Sequence, residues 1–292
     1  MHRRSSSGWL AAGSVLVALG CSDGAGGAAT GSASGRPRSS APAASHPAPS
    51  ASAPASAAPS AAARAPSGSY GTGSIRGVAS FQGQAPEMKV PEKRLKTEFC
   101  KDTPVKHNAV LVKDGKLRDV YVRLAPADVK GAYVVPGAVE LDQKDCVYTP
   151  RVLGAVVGQK IRVTNSDAAT HNVNPEPVFD NVTQSRGSKP LEREIVDAGL
   201  IQYRCDLHPW MRAFVFAEKH PFFAVTGDDG RFAIEKVPDG RYHVEAWHSQ
   251  YGWKKADREV DIQGDTSVTV DFGYSAADPQ PDENKGELDK LF

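Results

Sequence analysis

The segment Tyr203-Arg-Cys205-Asp-Leu-His208-Pro-Trp-Met211 carries a thiol, an imidazole and a thioether in the pattern Cys-x2-His-x2-Met. It begins within a strand-like run from Ile201 to Cys205. A second imidazole lies upstream in Asn165-Ser-Asp-Ala-Ala-Thr-His171, just past another strand-like run. One tight loop and one neighbouring strand end therefore supply four side chains that bind metals, and we expect them to converge.

The donor types indicate which metal these side chains bind. Two histidines and one cysteine in a plane, with a long axial methionine, form the ligand set of a blue-copper electron-transfer site. Thiolate and thioether favour Cu(I), whereas imidazoles accept Cu(II), so the mixed set serves both oxidation states. The sequence therefore predicts one type 1 copper ion per chain, bound by His171, Cys205, His208 and Met211.

These two stretches resemble the cupredoxin family. Residues 165–171 are similar to the family's Asn-x5-His element, and residues 203–211 to its Tyr-x-Cys-x2-His-Pro-x-Met loop. The two-residue gaps most resemble the amicyanin branch, although Thr170 stands where amicyanins usually carry proline. The resemblance covers roughly residues 137–218 and implies a Greek-key cupredoxin β-sandwich there.

The same resemblance implies roles for residues beside the ligands. The backbone N–H of Asn172 would donate to the sulfur of Cys205 and help to set the reduction potential. Pro209 and Trp210 would form an apolar rim beside His208. A redox partner protein would dock on this rim near His208 and Trp210.

The residues on either side of the copper segment resemble a second module. Thr226 to Ile234 and Val237 to Val244 are similar to the carboxypeptidase regulatory-like (transthyretin-like) domain, and Gly77 to Gly83 is similar to its opening strand. We therefore expect residues 73–136 and 219–273 to form one β-sandwich into which the copper domain is inserted. The alternative is that the chain forms three independent pieces, of which residues 73–136 extend the cupredoxin at its N-terminus.

The whole foldable region predicts an all-β fold. Short apolar alternations are separated by Gly and Asp turns, and no long 3.6-residue pattern occurs. One hairpin is expected around Asp114-Gly115, with Leu117 to Leu124 as its second strand. Two β-sandwiches account for this spacing better than a helical or α/β fold.

The N-terminus is typical of an exported protein. A basic start and an apolar run from Trp9 to Leu19 predict a signal peptide over residues 1–20. Cys21 follows the cut as in a bacterial lipobox, so lipidation of Cys21 is expected, with ordinary cleavage as the alternative. Between Ser22 and Ser69, 42 of 48 residues are Ala, Ser, Pro or Gly, which predicts a disordered tether over residues 21–72.

Charge and targeting together limit the partners. The chain of 292 residues has a formal net charge of +1, which gives no general attraction to nucleic acid or to anionic membranes. We expect a periplasmic or cell-surface protein that reaches a bacterial membrane only through its lipid anchor. Residues 274–292 form a polar tail, and the oligomeric state is left open by the sequence.

Four cysteines allow one disulfide to be predicted. Cys205 must remain a thiolate to bind copper, and Cys21 lies at the far end of the tether. In an oxidising compartment this leaves Cys100 and Cys146 as the pair. The alternative is that both are small buried side chains that never oxidise.

Three functions from different classes follow from these observations. The first is an exported electron carrier that is not an enzyme. The second is a copper carrier or sensor that does no electron transfer. The third is a surface lipoprotein that binds carbohydrate or protein and has a vestigial metal site. The colour of the Cu(II) form separates them, because only the first needs a thiolate-to-copper charge-transfer band.

Overall fold

The computed structural model describes residues 68–95, 98–102, 108–177, 180–257 and 259–279. Nearly all of the regular structure in them is β-strand, so the all-β prediction is confirmed. The predicted signal peptide, Cys21, most of the tether and residues 280–292 of the tail lie outside the described residues.

The elements, in chain order, are β1 (Gly73–Gln82), α1 (Glu92–Leu95), a 3-10 helix (Phe99–Asp102), β2 (Val112–Lys113), β3 (Lys116–Leu117), β4 (Tyr121–Leu124), β5 (Val139–Lys144), β6 (Val147–Thr149), β7 (Val152–Val156), β8 (Lys160–Asn165), β9 (His171–Glu176), β10 (Val182–Gln184), β11 (Leu191–Glu194), β12 (Gly199–Arg204), β13 (Arg212–Glu218), β14 (Phe223–Val225), β15 (Arg231–Val237), β16 (Gly240–Tyr242), β17 (Val244–His248), β18 (Gly252–Lys255), β19 (Val260–Ile262), β20 (Ser267–Thr269) and β21 (Phe272–Ser275).

Strands that precede β5 in the chain share two sheets with strands that follow β13, and we call this pair of sheets the flanking sandwich. One sheet has the order β15-β1-β3-β2, with β20 and β21 also paired to β1, and the other has the order β14-β4-β17-β18. A single apolar core joins them and includes Ile75 of β1, Leu124 of β4 and Val244 of β17. A Cβ atom at Gly77 would collide with the carbonyl oxygen of Val270, so the β1 backbone needs glycine there.

Strands β5 to β13 form two sheets of their own, which we call the central sandwich. Their orders are β10-β9-β12-β13-β7 and β11-β8-β5-β6. The core between them includes Leu141, Tyr148, Val163 and Val215. Cys100 also packs in this core, although it precedes β5 in the chain.

An aromatic cluster joins the two sandwiches. Phe214 and Phe216 of β13 pack with Tyr121 of β4 and Trp247 of β17. The rings of Tyr121 and Phe216 are stacked, with centroids 4.2 Å apart. Strand β13 therefore contacts the flanking sandwich through its aromatic side chains.

The predicted disulfide is present. Cys100 and Cys146 are bonded, their Cα atoms lie 5.9 Å apart, and both residues are fully buried. Because Cys100 lies in the 3-10 helix and Cys146 follows β5, the bond attaches the earlier segment to the central sandwich.

Two sequence-based expectations differ from the structure in detail. The expected strand from Leu117 to Leu124 is broken into β3 and β4, because Asp119 has a φ of 62° and turns the chain. The tether was expected to run to residue 72, yet Gly68 and Gly71 already donate backbone hydrogen bonds to the carbonyls of Ala132 and Lys236. The hydrogen-bonded chain therefore extends to the N-terminal side of β1.

No helix in the described part of the chain has both the length and the apolar character needed to cross a membrane.

Candidate metal centre

The predicted metal-binding residues lie at one end of the central sandwich. Strand β12 runs up to Cys205, β13 starts directly after Met211, and His171 is the first residue of β9. Strands β9 and β12 are antiparallel neighbours, with Asn174 opposite Arg204. The beginning of β9 therefore lies beside the end of β12, which brings His171 to the 205–211 loop.

The loop between β12 and β13 is closed by its own backbone. The N–H of His208 donates to the carbonyl of Cys205 at 3.2 Å, and the N–H of Met211 donates to the carbonyl of His208 at 2.8 Å. The N–H of Cys205 also reaches the carbonyl of Met211 at 3.3 Å. These bonds hold the three predicted ligands of the loop at a fixed spacing.

Nitrogen and sulfur atoms from three of these residues face one another. The Nδ1 atoms of His171 and His208 are 2.8 Å apart, and the Sγ atom of Cys205 is 3.6 Å from Nδ1 of His208. The ligand atoms of all three residues lie within 4.8 Å of one another. Met211 is fully buried in the same core cluster as Cys205.

Asp167 selects the tautomer of the neutral His171 ring. Its Oδ2 atom lies 2.8 Å from Nε2 of His171. An ionised carboxylate only accepts hydrogen bonds, so Nε2 must carry the proton. In the neutral ring the lone pair is then on Nδ1, which faces His208 and Cys205.

Asp167 is itself held as an anion. Burial alone would raise the pKa of this carboxyl, but hydrogen bonds from His171 and from the backbone N–H groups of Cys146 and Asp145 lower its pKa below the usual value. Sequence reasoning missed Asp167. The available signal was an acidic residue four positions before the histidine in the Asn-x5-His element.

The Cys205 sulfur has a hydrogen-bond donor beside it. The backbone N–H of Asn172 donates to Sγ at 3.4 Å, which is the contact implied by the cupredoxin resemblance. Burial raises the pKa of the Cys205 thiol, and this N–H counteracts part of that effect. A bound cation would supply the charge needed to keep the sulfur ionised.

Asp206 is surrounded by asparagine side chains on the outside of the loop. Its carboxylate accepts hydrogen bonds from the side-chain amides of Asn172, Asn174 and Asn181. The hydrogen bonds from Asn174 are the main cause of the lowered pKa of Asp206, followed by those from the other two amides. The side-chain oxygen of Asn172 also accepts the N–H of Asp206 at 2.6 Å, so β9 is tied to the ligand loop.

The structure corrects the expected rim. Trp210 is only 2% exposed, and its indole N–H donates to the carbonyl of Cys146 at 2.9 Å. It therefore lies beneath His208 and forms no part of an exposed surface. Pro209 is half-buried, and the exposed apolar side chain next to His208 is Leu207, at 56%.

The donor set fits copper. Two imidazole nitrogens and a thiolate, with a thioether in the same loop, suit copper, because Cu(I) is a soft ion and Cu(II) is a borderline one. The nearby carboxylates are engaged elsewhere, because Asp167 binds the far side of His171 and Asp206 binds the asparagine amides. Cys146, Asp167 and His171 also lie close enough together to hold a metal ion. The sulfur of Cys146 is not available as a ligand, because it is in the disulfide.

Comparison with known proteins gives structural neighbours only. No protein-family model matches the chain, and no curated protein matches it. A purple cupredoxin from Nitrosopumilus maritimus is 22% identical and covers 27% of this chain and 99% of its own, with a TM-score of 0.25. A mutant of amicyanin in its Cu(I) form is 25% identical, and the match covers 28% of this chain and 83% of the amicyanin chain, also with a TM-score of 0.25.

A copper-containing nitrite reductase from Thermus scotoductus is 17% identical and covers 33% of this chain and 26% of its own, with a TM-score of 0.26. Because all three TM-scores are far below 0.5, the chemistry of the site is inferred from its own residues.

Proposed function

We propose that this protein binds one copper ion through His171, Cys205, His208 and Met211, and that it carries electrons. One observation carries the proposal: the two Nδ1 atoms and the Cys205 sulfur face one another inside the core. When bound there, copper supplies a one-electron redox couple. The residues around it hold the donors in place in both oxidation states.

The burial of the donors favours electron transfer over copper delivery. His171 is fully buried, Cys205 and His208 are no more than 5% exposed, and Met211 is fully buried. A carrier that hands its metal to another protein needs at least one accessible ligand that can exchange. Donors that are locked by strand ends and loop hydrogen bonds instead keep the rearrangement between Cu(I) and Cu(II) small.

Docking and location belong to the same proposal. Leu207 and Pro209 lie beside His208, and we place the contact with a redox partner protein there. The Cys100–Cys146 disulfide supports an exported protein, because such bonds persist in oxidising compartments. The signal-like N-terminus and Cys21 support the further proposal of a lipid anchor at a bacterial membrane.

The test is the visible spectrum of the protein after addition of Cu(II). We expect an intense thiolate-to-copper charge-transfer band and reversible one-electron voltammetry. Cys205→Ser should abolish the band, because the colour requires the sulfur. The control His243→Gln changes an exposed histidine that binds Asp128 and Glu259, and it should leave the band unchanged.

The alternatives give different results. Copper binding without the band would favour a carrier or sensor, and an absence of copper binding would refute the metal site altogether. An unchanged spectrum in Cys205→Ser would refute the assignment of the sulfur.

A further inference from the structure

The turn between β5 and β6 has an unusual backbone. Its two residues, Asp145 and Cys146, have φ values of 54° and 55°. Two-residue hairpin turns of this kind favour Asn-Gly or Asp-Gly, because glycine tolerates positive φ. A cysteine at the second position is disfavoured there unless the surroundings hold it.

Two features hold this turn. The carboxylate of Asp167 accepts the N–H of Asp145 at 2.7 Å and the N–H of Cys146 at 2.8 Å. The side chain of Cys146 is bonded to Cys100, and both cysteines pack in the central core. The disulfide therefore fixes the same residue whose N–H binds Asp167.

The turn also contacts both histidines of the metal centre through separate partners. Asp167 accepts the Nε2 proton of His171 at 2.8 Å. The carbonyl of Cys146 accepts the indole N–H of Trp210 at 2.9 Å. The centroids of the Trp210 and His208 rings are 5.2 Å apart. A shift of Cys146 would therefore be passed to both rings.

We propose that the Cys100–Cys146 disulfide and the Asp145–Cys146 turn form a positioning element for His171 and His208, so that copper binding depends on the disulfide. This inference rests on the proposed copper site. Reduction by a dithiol would add two electrons and two protons to the sulfurs, releasing two thiols and oxidising the dithiol to its own disulfide. Once the turn leaves the left-handed conformation, Asp167 loses the N–H groups of Asp145 and Cys146, and Trp210 loses the carbonyl of Cys146.

The experiment uses the full chain with both cysteines changed, Cys100→Ser and Cys146→Ser, which avoids a free thiol near the metal. We expect Cu(II) affinity to fall by about 10- to 100-fold, as for other supports of metal ligands. The reduction potential and the copper hyperfine splitting should also change.

A rescue variant separates positioning from general loss of stability. Replacing Cys146 by glycine in the Cys100→Ser background removes the disulfide but allows the positive φ without strain. It should recover much of the affinity and the potential. The control Ile161→Ala opens a space at the far end of β8 in the same core, and it should lower stability without shifting the potential.

A readout without copper makes the inference independent of the proposed function. In the metal-free protein the indole N–H of Trp210 should exchange slowly with solvent, and it should exchange faster in the double-serine variant. If wild-type protein binds no copper, the proposed function fails, and this exchange rate alone decides whether the disulfide holds the turn. Unchanged affinity, potential and indole exchange in the double-serine variant would overturn the inference.

Discussion

Arg123 connects the two sandwiches through two buried carboxylates, and we expect its removal to be costly. Its Nη1 atom lies 2.7 Å from Glu218 at the end of β13, and its Nε and Nη2 atoms lie 3.1 and 3.0 Å from Glu245 of β17. The side chain of Glu218 is only 4% exposed and that of Glu245 is 11% exposed. The guanidinium also lies 4.2 Å above the ring of Trp253.

The variant Arg123→Met keeps an apolar stem but leaves both carboxylates without their main cation. Breaking a buried ion pair in this way typically costs about 3–5 kcal/mol, because a desolvated charge is left behind. The comparison is Arg76→Met. Arg76 and Glu235 also form a pair at 2.9 Å, but their side chains are 60% and 52% exposed, so its loss should cost less than about 1 kcal/mol.

The assay is urea unfolding of wild type and both variants at neutral pH and constant salt. Adding Glu218→Gln to Arg123→Met should recover part of the lost stability, because it removes one unpaired buried charge. The spectrum of the Cu(II)-treated protein should not change, since Glu218 is at the far end of β13, roughly 20 Å along the strand from the candidate metal centre. If Arg123→Met costs no more than Arg76→Met, the reasoning from burial is refuted.

Two further predictions concern potential and pH. If Met211 is a ligand as proposed, Met211→Leu should retain copper but raise the reduction potential, because loss of a weak thioether donor would destabilise Cu(II) more than Cu(I). Voltammetry that shows a lower potential would contradict this role of Met211. Burial lowers the pKa of His220 to about 4 and that of His248 to about 3. The positive charge of Arg123 adds to the effect at His220, and that of Arg151 adds to it at His248. The unfolded chain then binds more protons below a pH of about 6.5, so stability is complete above that pH and is lost as the pH falls. As the pH falls from about 7 to about 5, each histidine should lower the free energy of unfolding by about 2 kcal/mol. Changing both histidines to glutamine should flatten this pH dependence in denaturant titrations.

Much of the candidate metal centre could be proposed from the sequence, because its information is local. Cys205, His208 and Met211 lie in one loop, so their spacing alone places three donor types together whatever the rest of the chain does. The all-β fold followed for a similar reason, since alternation and Gly/Asp turns act over a few residues. The disulfide could be predicted by elimination, because only two folded cysteines lacked another role.

Tertiary structure decided what surrounds the donors. The sequence could not show that Trp210 turns inward, because its hydrogen-bond partner is the carbonyl of Cys146, 64 positions earlier. Nor could it show that Asp167 bridges His171 and the Asp145–Cys146 turn, since those contacts require β5, β6 and β9 to meet at one end of the sandwich. Spacing along a loop is a property of the chain, whereas burial and hydrogen bonding between distant residues exist only after the sheets have packed.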